Sequence, residues 1–401
     1  MNLSPKRITQ LCRVVTGKTP PTSRQEFFGG EYLFVTPSDL DYCHYYCRKT
    51  ERTVSEEARS LLPNQFVPAD SVMFTCIGAT IGKCGIAPAE CLTNQQINSV
   101  IANDHTNAKF LYYLLCHNID VVKGLGGGSA TPIVSKSKFE EIEFLVPSFK
   151  EQQAIAEILS AYDGLMENNR RRMALLEEAA RQLYREWFVR LRFPGHEHTP
   201  ITNGVPEGWE RRRIGDIAEC VGGGTPSTTV SAYWEDGDVM WVTPTDVTRN
   251  KHLVLLDSEK KITEGGLQNS SARLVPSHAV LMTSRASVGF FAVAGREVCT
   301  NQGFISVVPH ESSLSPFLLF HLSERVEEIR AMGSGSTYPE VSRGKFREFE
   351  VLLPRATLAS AFDEQATQLL KQIRILKQQG QKLRAARDLL LPRLMSGEIA
   401  V

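Results

Sequence analysis

The sequence of 401 residues lacks the features of membrane proteins and of secreted, disulfide-bonded proteins. It has no run of about 18 consecutive apolar residues, which a membrane-spanning helix would require. No apolar run follows Lys6 and Arg7, so we expect no secretory signal at residues 1–10. The nine cysteines are an odd number and form no C-x-x-C pair, which indicates reduced thiols. We therefore expect a cytoplasmic protein that does not contact a membrane.

The sequence also lacks an excess of basic residues. Lysine and arginine together number 45, aspartate and glutamate also number 45, and the formal net charge is zero. A protein that binds nucleic acid by itself usually has a strongly basic face. Any contact with DNA must therefore depend on local clusters of basic residues, or on partner proteins that supply further positive charge.

No set of side chains in the sequence points clearly to catalysis. There is no evident Ser/His/Asp or Cys/His set, and the Asn-Pro-Pro-aromatic and Asp-Pro-Pro-aromatic tetrapeptides of amino-methyltransferases are absent. Gly17-Lys18-Thr19 resembles the end of a phosphate-binding loop, but Cys12 stands where that loop requires glycine. A tight turn before Pro20 is the better interpretation.

Two weaker patterns leave a metal site open. Three potential zinc ligands cluster without the second half of a four-ligand structural site: Cys43, His44 and Cys47. A carboxylate pair followed by a lysine has the loose spacing of a metal-dependent nuclease: Asp246, Glu259 and Lys261. The second pattern keeps a stand-alone nuclease open as an alternative function.

The sequence does contain one long internal repeat, with an offset of about 207 residues. Three stretches of the first half return in the second: Val35–Asp39 as Val242–Asp246, Thr93–Gln95 as Thr300–Gln302, and residues 126–135 as residues 333–342. The two copies therefore share an architecture. A molecule with two similar ends suits a target that also has two ends.

Each copy of the repeat has the composition of a mixed α/β domain. Short apolar runs such as Ser71–Phe74 and Ala279–Met282 alternate with glycine-containing turns, which is typical of short strands. Phe110–Cys116 and Phe317–Leu322 predict one matching helix in each copy.

Residues 151–191 and 358–395 predict two long helices, because they have almost no glycine or proline before their ends. Their apolar residues recur in alternating steps of four and three and form a narrow seam, with the same offset between the segments. The seam residues are Ile155, Leu159, Tyr162, Met166, Asn169, Met173, Leu176, Ala180, Leu183 and Trp187 in the first segment, and Phe362, Ala366, Leu369, Ile373, Leu376, Gly380, Leu383, Leu390 and Leu394 in the second. Such a seam requires a partner helix, so we predict that the two helices pair.

Each predicted helix would be about 57 Å long at 1.5 Å per residue. Asn169 lies on the first seam, where a polar side chain tends to fix the register of pairing. Arg387 interrupts the second seam. Two amphipathic helices buried in separate cores are the alternative interpretation.

The loops of the repeat carry basic and hydroxyl residues that can contact DNA. Arginine and lysine bind phosphates, and arginine can also bind guanine through two hydrogen bonds. The candidate DNA-binding residues are Lys18, Thr19, Arg24, Arg48, Lys49, Lys83, Lys136 and Lys138 in the first copy, and Arg211, Arg212, Thr225, Arg249, Lys251, Ser284, Arg285, Arg343 and Lys345 in the second. Solvated surface is the alternative interpretation for each of them.

Three motifs carry a resemblance to a known family. They are residues 147–155 (PSFKEQQAI), residues 205–209 (VPEGW) and residues 389–399 (LLLPRLMSGEI). Together with the repeat spacing, they make nearly the whole chain similar to the specificity subunit of type I restriction–modification enzymes. The chain departs from the family pattern in two places. No Glu-Gln pair follows Pro354, and the first copy lacks a tryptophan-bearing lead-in.

The repeat and the resemblance imply an α/β (mixed α+β) fold. Two repeated target-recognition domains would be joined by two long helices, which form an antiparallel coiled coil with pseudo-twofold symmetry. The expected segments are target-recognition domain 1 at 1–149, a central helical region at 150–195, a linker and target-recognition domain 2 at 196–355, and a C-terminal helical region at 356–401.

The resemblance also implies a non-catalytic protein that binds a bipartite site in double-stranded DNA, one half per domain. Its helices would dock two modification subunits, which bind S-adenosylmethionine and methylate adenine. Two restriction subunits can join them and add ATP-driven translocation and cleavage. No cofactor or metal is expected on this chain, because S-adenosylmethionine, ATP and Mg²⁺ would be bound by the partners. A stand-alone nuclease and a scaffold whose two ends bind protein are the alternative functions.

Overall fold

The computed structural model describes residues 2–42, 45–127, 131–250, 252–333 and 340–401. The chain forms two compact units: unit 1 contains the residues up to Glu167 and Gln381–Val401, and unit 2 contains Asn168–Gly380. Each unit therefore combines one copy of the repeat with part of both long helices. The four-segment division of the chain stays a prediction, because the compact units cut across the helices.

Unit 1 consists of short strands and short helices followed by a long helix. Its strands are β1 (Ser4–Arg7), β2 (Cys12–Thr16), β3 (Phe28–Val35), β4 (Arg52–Val54), β5 (Phe66–Val67), β6 (Val72–Thr75), β7 (Cys84–Ile86), β8 (Cys91–Thr93), β9 (Ile97–Ala102) and β10 (Glu143–Val146). Its helices are α1 (Ile8–Leu11), α2 (Glu56–Leu61), α3 (Ala108–His117), α4 (Ile119–Gly124) and α5 (Lys136–Glu140), and α6 (Phe149–Tyr184) continues into unit 2.

The main sheet of unit 1 has the strand order β2-β9-β6-β7 and is antiparallel. A second sheet has the order β4-β3-β8-β5, in which β3 and β8 are parallel. β1 and β10 form a separate antiparallel pair. Helix α3 packs on the main sheet, and all its residues from Phe110 to Cys116 are buried, which confirms the predicted helix.

Unit 2 has a similar order of elements. Its strands are β11 (Ile201–Thr202), β12 (Val205–Pro206), β13 (Glu210–Arg213), β14 (Ala218–Gly222), β15 (Val239–Val242), β16 (Val254–Leu255), β17 (Lys260–Ile262), β18 (Val280–Thr283), β19 (Phe291–Ala294), β20 (Cys299–Thr300), β21 (Phe304–Pro309) and β22 (Glu350–Leu353). Its helices are α7 (Ile214–Ile217), α8 (Pro244–Arg249), α9 (Glu264–Gln268), α10 (Ser315–Glu324), α11 (Val326–Ala331) and α12 (Arg343–Arg347), and α13 (Ala356–Met395) ends in unit 1. Elements β11, β12, α8 and β16 are additional to those described in unit 1.

The sheets of unit 2 correspond to those of unit 1. The main sheet has the order β14-β21-β18-β19-β16, the second sheet has the order β17-β15-β20, and β13 pairs with β22. Strand β16 lies parallel to β19, and the described residues of unit 1 form an isolated parallel bridge between Tyr46 and Ile86 at the corresponding place. Helix α10 is the counterpart of α3 and contains Phe317–Leu322, which confirms the predicted helix. These residues are buried.

Both predicted long helices are present: α6 has 36 residues and α13 has 40. A π-helical turn, Arg185–Val189, extends α6. Within unit 2 the ring of Phe362 lies 5.0 Å from that of Phe188, and Leu369, seven residues further along α13, lines a groove with Ala179. The two helices therefore run antiparallel in this unit.

The seam residues face inward in both units. Ile155, Leu159 and Asn169 of α6 and Phe362 and Leu376 of α13 are buried. Six further seam residues are half-buried: Tyr162, Leu176, Leu183, Leu369, Leu383 and Leu390. In unit 1, Ile155 and Leu159 share one core with Leu391 and Leu394.

The Glu-Gln pair that starts α6 has a structural role. Glu151 accepts a hydrogen bond from the backbone N of Ser148 (2.9 Å), which forms a capping box. The buried Gln152 donates to the carbonyl of Pro147 (3.1 Å) and accepts from the backbone N of Asn107 (3.1 Å), the capping residue of α3. The equivalent residues at the start of α13 are Arg355, Leu358 and Ala359. Gln152 links α6 to α3 in unit 1, and its counterpart Ala359 has no side-chain amide to form the same link in unit 2.

Arg387, which interrupts the predicted seam, belongs to a buried polar cluster in unit 1. Its guanidinium donates to Asp163 (2.5 Å) and to Asp388 (2.7 Å), and the hydroxyl of Tyr113 donates to the other oxygen of Asp163. Burial alone would lower the pKa of Arg387, but Asp163 and Asp388 raise it, so the guanidinium stays charged. We name Tyr113, Asp163 and Arg387 the polar triad.

Unit 2 has apolar residues at the three equivalent positions. With the offset of the repeat, they are Phe320, Leu370 and Ala180, and all three belong to the core of unit 2. At this position, unit 1 therefore joins the long helices to its repeat domain through a polar cluster, whereas unit 2 does so through apolar contacts.

Among the described helices, none combines the length and the apolar character needed to cross a membrane.

Candidate nucleic-acid interface

In both units, one edge of the main sheet gathers the repeated motifs. In unit 1, Thr16 at the end of β2 pairs with Asn98, and Thr75 at the end of β6 pairs with Ile97 at the start of β9. The Thr-Asn-Gln loop precedes β9 and lies at the same edge. We name this edge the TNQ edge. It comprises residues 17–19, 36–39, 76–77 and 93–96 in unit 1, and residues 223–225, 243–246, 284–285 and 300–303 in unit 2.

The same backbone hydrogen bonds hold the TNQ edge in both units. In unit 1 they run from N to O between Lys18 and Thr93 (2.9 Å), Asn94 and Val35 (3.0 Å), Cys76 and Gln96 (2.8 Å), and Val134 and Cys76 (2.9 Å). In unit 2 they run between Gly224 and Thr300 (2.8 Å), Asn301 and Val242 (3.0 Å), Ser284 and Gly303 (2.8 Å), and Val341 and Ser284 (2.9 Å). The units therefore build one backbone framework and place different side chains on it.

A threonine and a glutamine are bonded in the same way at each TNQ edge. The hydroxyl of Thr19 donates to Oε1 of Gln95 (2.7 Å), and that of Thr225 donates to Oε1 of Gln302 (2.6 Å). Because Oε1 accepts this bond, the amide NH₂ group is oriented and keeps its donors for another acceptor. Phosphate oxygens and base edges are such acceptors. The sequence prediction included the two threonines and missed the glutamines, although the repeated Thr-Asn-Gln motif could have indicated them.

The glycine of each Gly-x-Thr sequence is required by a close backbone approach. A Cβ atom at Gly17 would lie 2.3 Å from the carbonyl oxygens of Thr93 and Asn94, and one at Gly223 would lie 2.0 Å from that of Asn301. Only glycine allows the end of the strand to approach the loop so closely. This approach accounts for the motif without a bound phosphate.

Asp39 and Asp246 are structural residues of the TNQ edge. Asp246 accepts hydrogen bonds from N and Oγ1 of Thr243 (both 2.7 Å) and from N of Glu259 (2.8 Å). Asp39 accepts the same three bonds from Thr36 and Glu51. The aspartate of the nuclease pattern therefore has a structural role, which its counterpart Asp39 shares.

The other two residues of the nuclease pattern form ion pairs. Glu259 pairs with Arg249 (3.2 Å), and Lys261 pairs with Asp257 (3.5 Å). Within the described ranges, no group of three or more His, Cys, Asp or Glu residues is placed to hold a metal ion.

Two of the three residues of the zinc pattern, Cys43 and His44, lie outside the described residues. Cys47 is buried, and this desolvation raises the pKa of its thiol to about 11, with a smaller contribution from the nearby Asp39 carboxylate. The thiol is therefore protonated and unreactive at neutral pH.

Several candidate basic residues form exposed ion pairs. The pairs are Arg24 with Glu26 (2.6 Å), Arg48 with Glu167 (3.1 Å), Lys136 with Glu140 (3.6 Å), Arg249 with Glu259 (3.2 Å) and Arg285 with Glu340 (2.7 Å). An exposed ion pair stabilises a protein by only about 0–1 kcal/mol. The basic side chain of such a pair can therefore engage a further hydrogen-bond acceptor at little cost.

Two short helices bring further basic residues beside the TNQ edge. Lys136 and Lys138 lie at the start of α5, which Ser135 caps, and Arg343 and Lys345 lie at the start of α12, which Ser342 caps. The preceding residues, Val134 and Val341, are bonded to the TNQ edge, so these helix starts are adjacent to it. The side chains of these four residues are exposed.

The remaining candidates have varied positions. Lys18 and Lys49 are exposed, and Lys83 is half-buried and donates to the carbonyl of Pro37 (3.2 Å). Arg211 and Arg212 lie on the separate β13–β22 sheet, next to Glu350 (4.0 Å) and Glu210 (3.6 Å).

Two candidates cannot be placed at the surface. Ser284 is buried, with 4% of its surface exposed. Lys251 lies outside the described residues.

The chain contains two copies of one unit, and each copy has the same polar edge. Both long helices contribute residues to both units. These features define a two-domain recognition protein. A family model for the type I restriction modification DNA specificity domain matches residues 2–178 and again residues 206–379. The chain therefore belongs to the family of type I restriction–modification specificity subunits, which are non-catalytic DNA-recognition subunits. Members of the family bind DNA and form complexes with other restriction–modification subunits.

Individual relatives agree with this assignment. The type I restriction enzyme MjaIX specificity subunit of Methanocaldococcus jannaschii is 28% identical over 421 residues, covering 99% of this chain and 93% of that protein. The HindI specificity subunit of Haemophilus influenzae is 32% identical over 146 residues, or 36% of this chain and 31% of that protein. The type I restriction–modification S subunit from M. genitalium has the same fold, with a TM-score of 0.62, 16% identity and coverage of 98% of this chain and 96% of that chain. The sequence-based resemblance and the mixed α/β fold with two repeated domains and long helices are thereby confirmed.

Proposed function

We propose that each unit binds one half of a bipartite site in double-stranded DNA through its TNQ edge. The observation that supports this most strongly is the construction of the same edge twice, with matching backbone bonds and the same oriented glutamine. Two copies of one framework can contact the sugar–phosphate backbone in the same manner, because that backbone is the same at every half-site. Side chains that differ between the copies can then read different bases.

The proposed DNA contacts are the basic and hydroxyl residues predicted from the sequence, except Ser284, together with the two glutamines of the TNQ edges. They are Lys18, Thr19, Arg24, Arg48, Lys49, Lys83, Gln95, Lys136 and Lys138 in unit 1, and Arg211, Arg212, Thr225, Arg249, Lys251, Arg285, Gln302, Arg343 and Lys345 in unit 2. The buried Ser284 supports the edge from within instead. Because the net charge of the chain is zero, partner subunits would complete the positive surface around the DNA.

The proposed partners are two modification subunits that methylate adenine, and restriction subunits where the system includes them. S-adenosylmethionine, ATP and Mg²⁺ would be bound by these partners, and the complex would act in the cytoplasm. The two long helices would dock the modification subunits and keep the recognition domains, with the boundaries expected from the sequence, at a set distance. The shared seam frame supports an antiparallel, pseudo-twofold pairing of the helices along their whole length.

The long helices have a length suited to a molecular ruler. At 1.5 Å per residue, α6 is about 54 Å long and α13 about 60 Å long. Domains that read one face of the DNA contact major grooves about 34 Å apart. Helices of this length can overlap both units and still separate the two reading edges by one helical turn.

Inserting four residues between Glu167 and Asn168, where the compact units divide, tests this function. Four residues lengthen a helix by about 6 Å and rotate it about 40° beyond one full turn. A base pair advances DNA by about 3.4 Å and rotates it by about 35°. The unread spacer in the methylated motif is therefore expected to grow by one or two base pairs, while the bases read at each end stay the same. Sequencing of methylated DNA from cells that carry the variant measures both.

A two-residue insertion at the same place is the matched control. It rotates the helix by about 200° and turns the seam to the opposite face, so methylation is expected to be lost. An unchanged spacer with full activity after the four-residue insertion would show that the helices do not set the distance.

A further inference from the structure

One pair of facing residues differs in chemistry between two otherwise matching frameworks. Two residues after the end of β6, Ile77 forms an isolated antiparallel bridge with Ile133. Two residues after the end of β18, Arg285 forms the same bridge with Glu340. The neighbouring backbone bonds, from Val134 to Cys76 and from Val341 to Ser284, are both 2.9 Å long. The four side chains therefore occupy equivalent positions, next to the Thr-Asn-Gln loop of their unit.

These positions present different surfaces to an incoming ligand. In unit 1, Ile133 is 50% exposed and Ile77 is half-buried, so the bridge is an exposed apolar spot. In unit 2, the exposed side chains of Arg285 and Glu340 form an ion pair of 2.7 Å. The Thr–Gln pairs beside them are the same in both units. The bridge, which joins the TNQ edge to a neighbouring segment, thus has the same backbone position but opposite chemistry in the two units.

We propose that this bridge is a base-reading position in each domain, an inference that rests on the function proposed above. Arg285 would bind the O6 and N7 atoms of a guanine in the half-site of unit 2. Ile133, supported by Ile77, would contact the methyl group of a thymine in the half-site of unit 1. Arginine offers a planar fork of donors that matches the guanine edge, whereas an aliphatic side chain can distinguish bases only through the thymine methyl group.

The ion pair favours a base over a phosphate as the ligand of Arg285. Glu340 engages one nitrogen, NH2, of the Arg285 guanidinium and leaves other donors available. A phosphate approaching the same guanidinium would be repelled by the adjacent carboxylate. A guanine edge carries no full negative charge, and Glu340 can accept a hydrogen bond from the amino group of the paired cytosine. The Arg–Glu pair is therefore complementary to a whole G·C base pair.

The test maps methylated motifs in cells that express the full complex with Arg285→Ala. The expected result is a relaxed requirement at one base pair in one half-site, where discrimination against the other bases falls by about 10- to 100-fold. The other half-site and the spacer are expected to stay unchanged. The matched control is Arg355→Ala, which removes an exposed arginine paired with Glu207 outside the TNQ edge and is expected to leave the motif intact.

A second variant tests the proposal in the other unit. Ile77→Arg combined with Ile133→Glu transfers the ion pair to unit 1 and is expected to replace an A·T requirement with a G·C requirement in the other half-site. Thermal unfolding of each purified variant complex shows whether that variant is folded. If one variant fails to fold, the motif methylated by the other variant tests the proposal. An unchanged motif in a folded, active Arg285→Ala complex overturns the proposal, and so does a uniform loss of methylation at every site.

The failure of this inference differs from the failure of the proposed function. If the unaltered chain directs methylation to a bipartite motif and the bridge variants do not change its bases, only the base-reading role of the bridge is wrong. If the unaltered chain directs no bipartite motif, the proposed function itself is wrong.

Discussion

Exchanging residues 205–355 for the matching domain of another type I specificity subunit is expected to change one half of the methylated motif and to leave the other half unchanged. Each unit has its own main sheet, its own hydrophobic core and its own TNQ edge. The backbone bonds that hold each edge lie within one unit. The exchange should therefore replace one reading surface as a whole, and sequencing of methylated DNA measures the result.

The packing of unit 2 determines how the exchange has to be made. The hydroxyl of Tyr184 on α6 is hydrogen-bonded to His321 on α10 (2.9 Å), and Phe317 stacks on the ring of His321. Phe188 packs against Phe317 with the ring centroids 5.0 Å apart. The inserted domain should therefore keep Phe317 and His321, so that its core still fits the helix.

The reciprocal exchange of residues 1–149 provides the matched control. It is expected to change only the half-site that the first exchange leaves intact. If both halves of the motif change together in either exchange, the two units do not read DNA separately, and the modular interpretation is wrong.

Replacing Arg387 with alanine is expected to destabilise unit 1 by about 3–5 kcal/mol, the range measured when one partner of a buried ion pair is removed. Asp163 is 3% exposed and would lose its ion pair with Arg387 in the interior. The hydroxyl of Tyr113 is the remaining donor to this carboxylate within the triad. The free energy of unfolding, measured by urea titration, should fall by this amount.

The sister unit supplies the control for this prediction. Tyr113→Phe, Asp163→Leu and Arg387→Ala together copy Phe320, Leu370 and Ala180 of unit 2. A buried ion pair can be replaced by packed apolar residues with little loss, so the triple variant is expected to recover most of the stability lost in the single variant. A single variant as stable as the parent, or a triple variant no more stable than the single one, would contradict the role assigned to the triad.

The features that local patterns encode were predictable from the sequence. Apolar spacing and the lack of glycine and proline indicated α6 and α13, and short apolar runs indicated α3 and α10. The offset of the repeat indicated that the two halves share one architecture. These signals are local or periodic, so they do not depend on how distant segments pack.

Features that depend on distant contacts were not predictable in the same way. Arg387 interrupted the seam without explanation, because its partner Asp163 lies 224 residues away in the sequence. Asp246 fitted a nuclease pattern by spacing, whereas its carboxylate accepts backbone bonds from Thr243 and from Glu259, 13 residues away. Arg285 and Glu340 are 55 positions apart in the sequence, so their pairing becomes visible in the folded structure.

The most direct test of the central claim compares methylated adenines in DNA from cells that express the modification subunits with and without this chain. The expected result is a single motif, made of two short read segments separated by an unread spacer, that is methylated only when the chain is present. Identical methylation in both cultures, or a motif without two separate halves, would contradict the claim that this chain directs the complex to a bipartite DNA site.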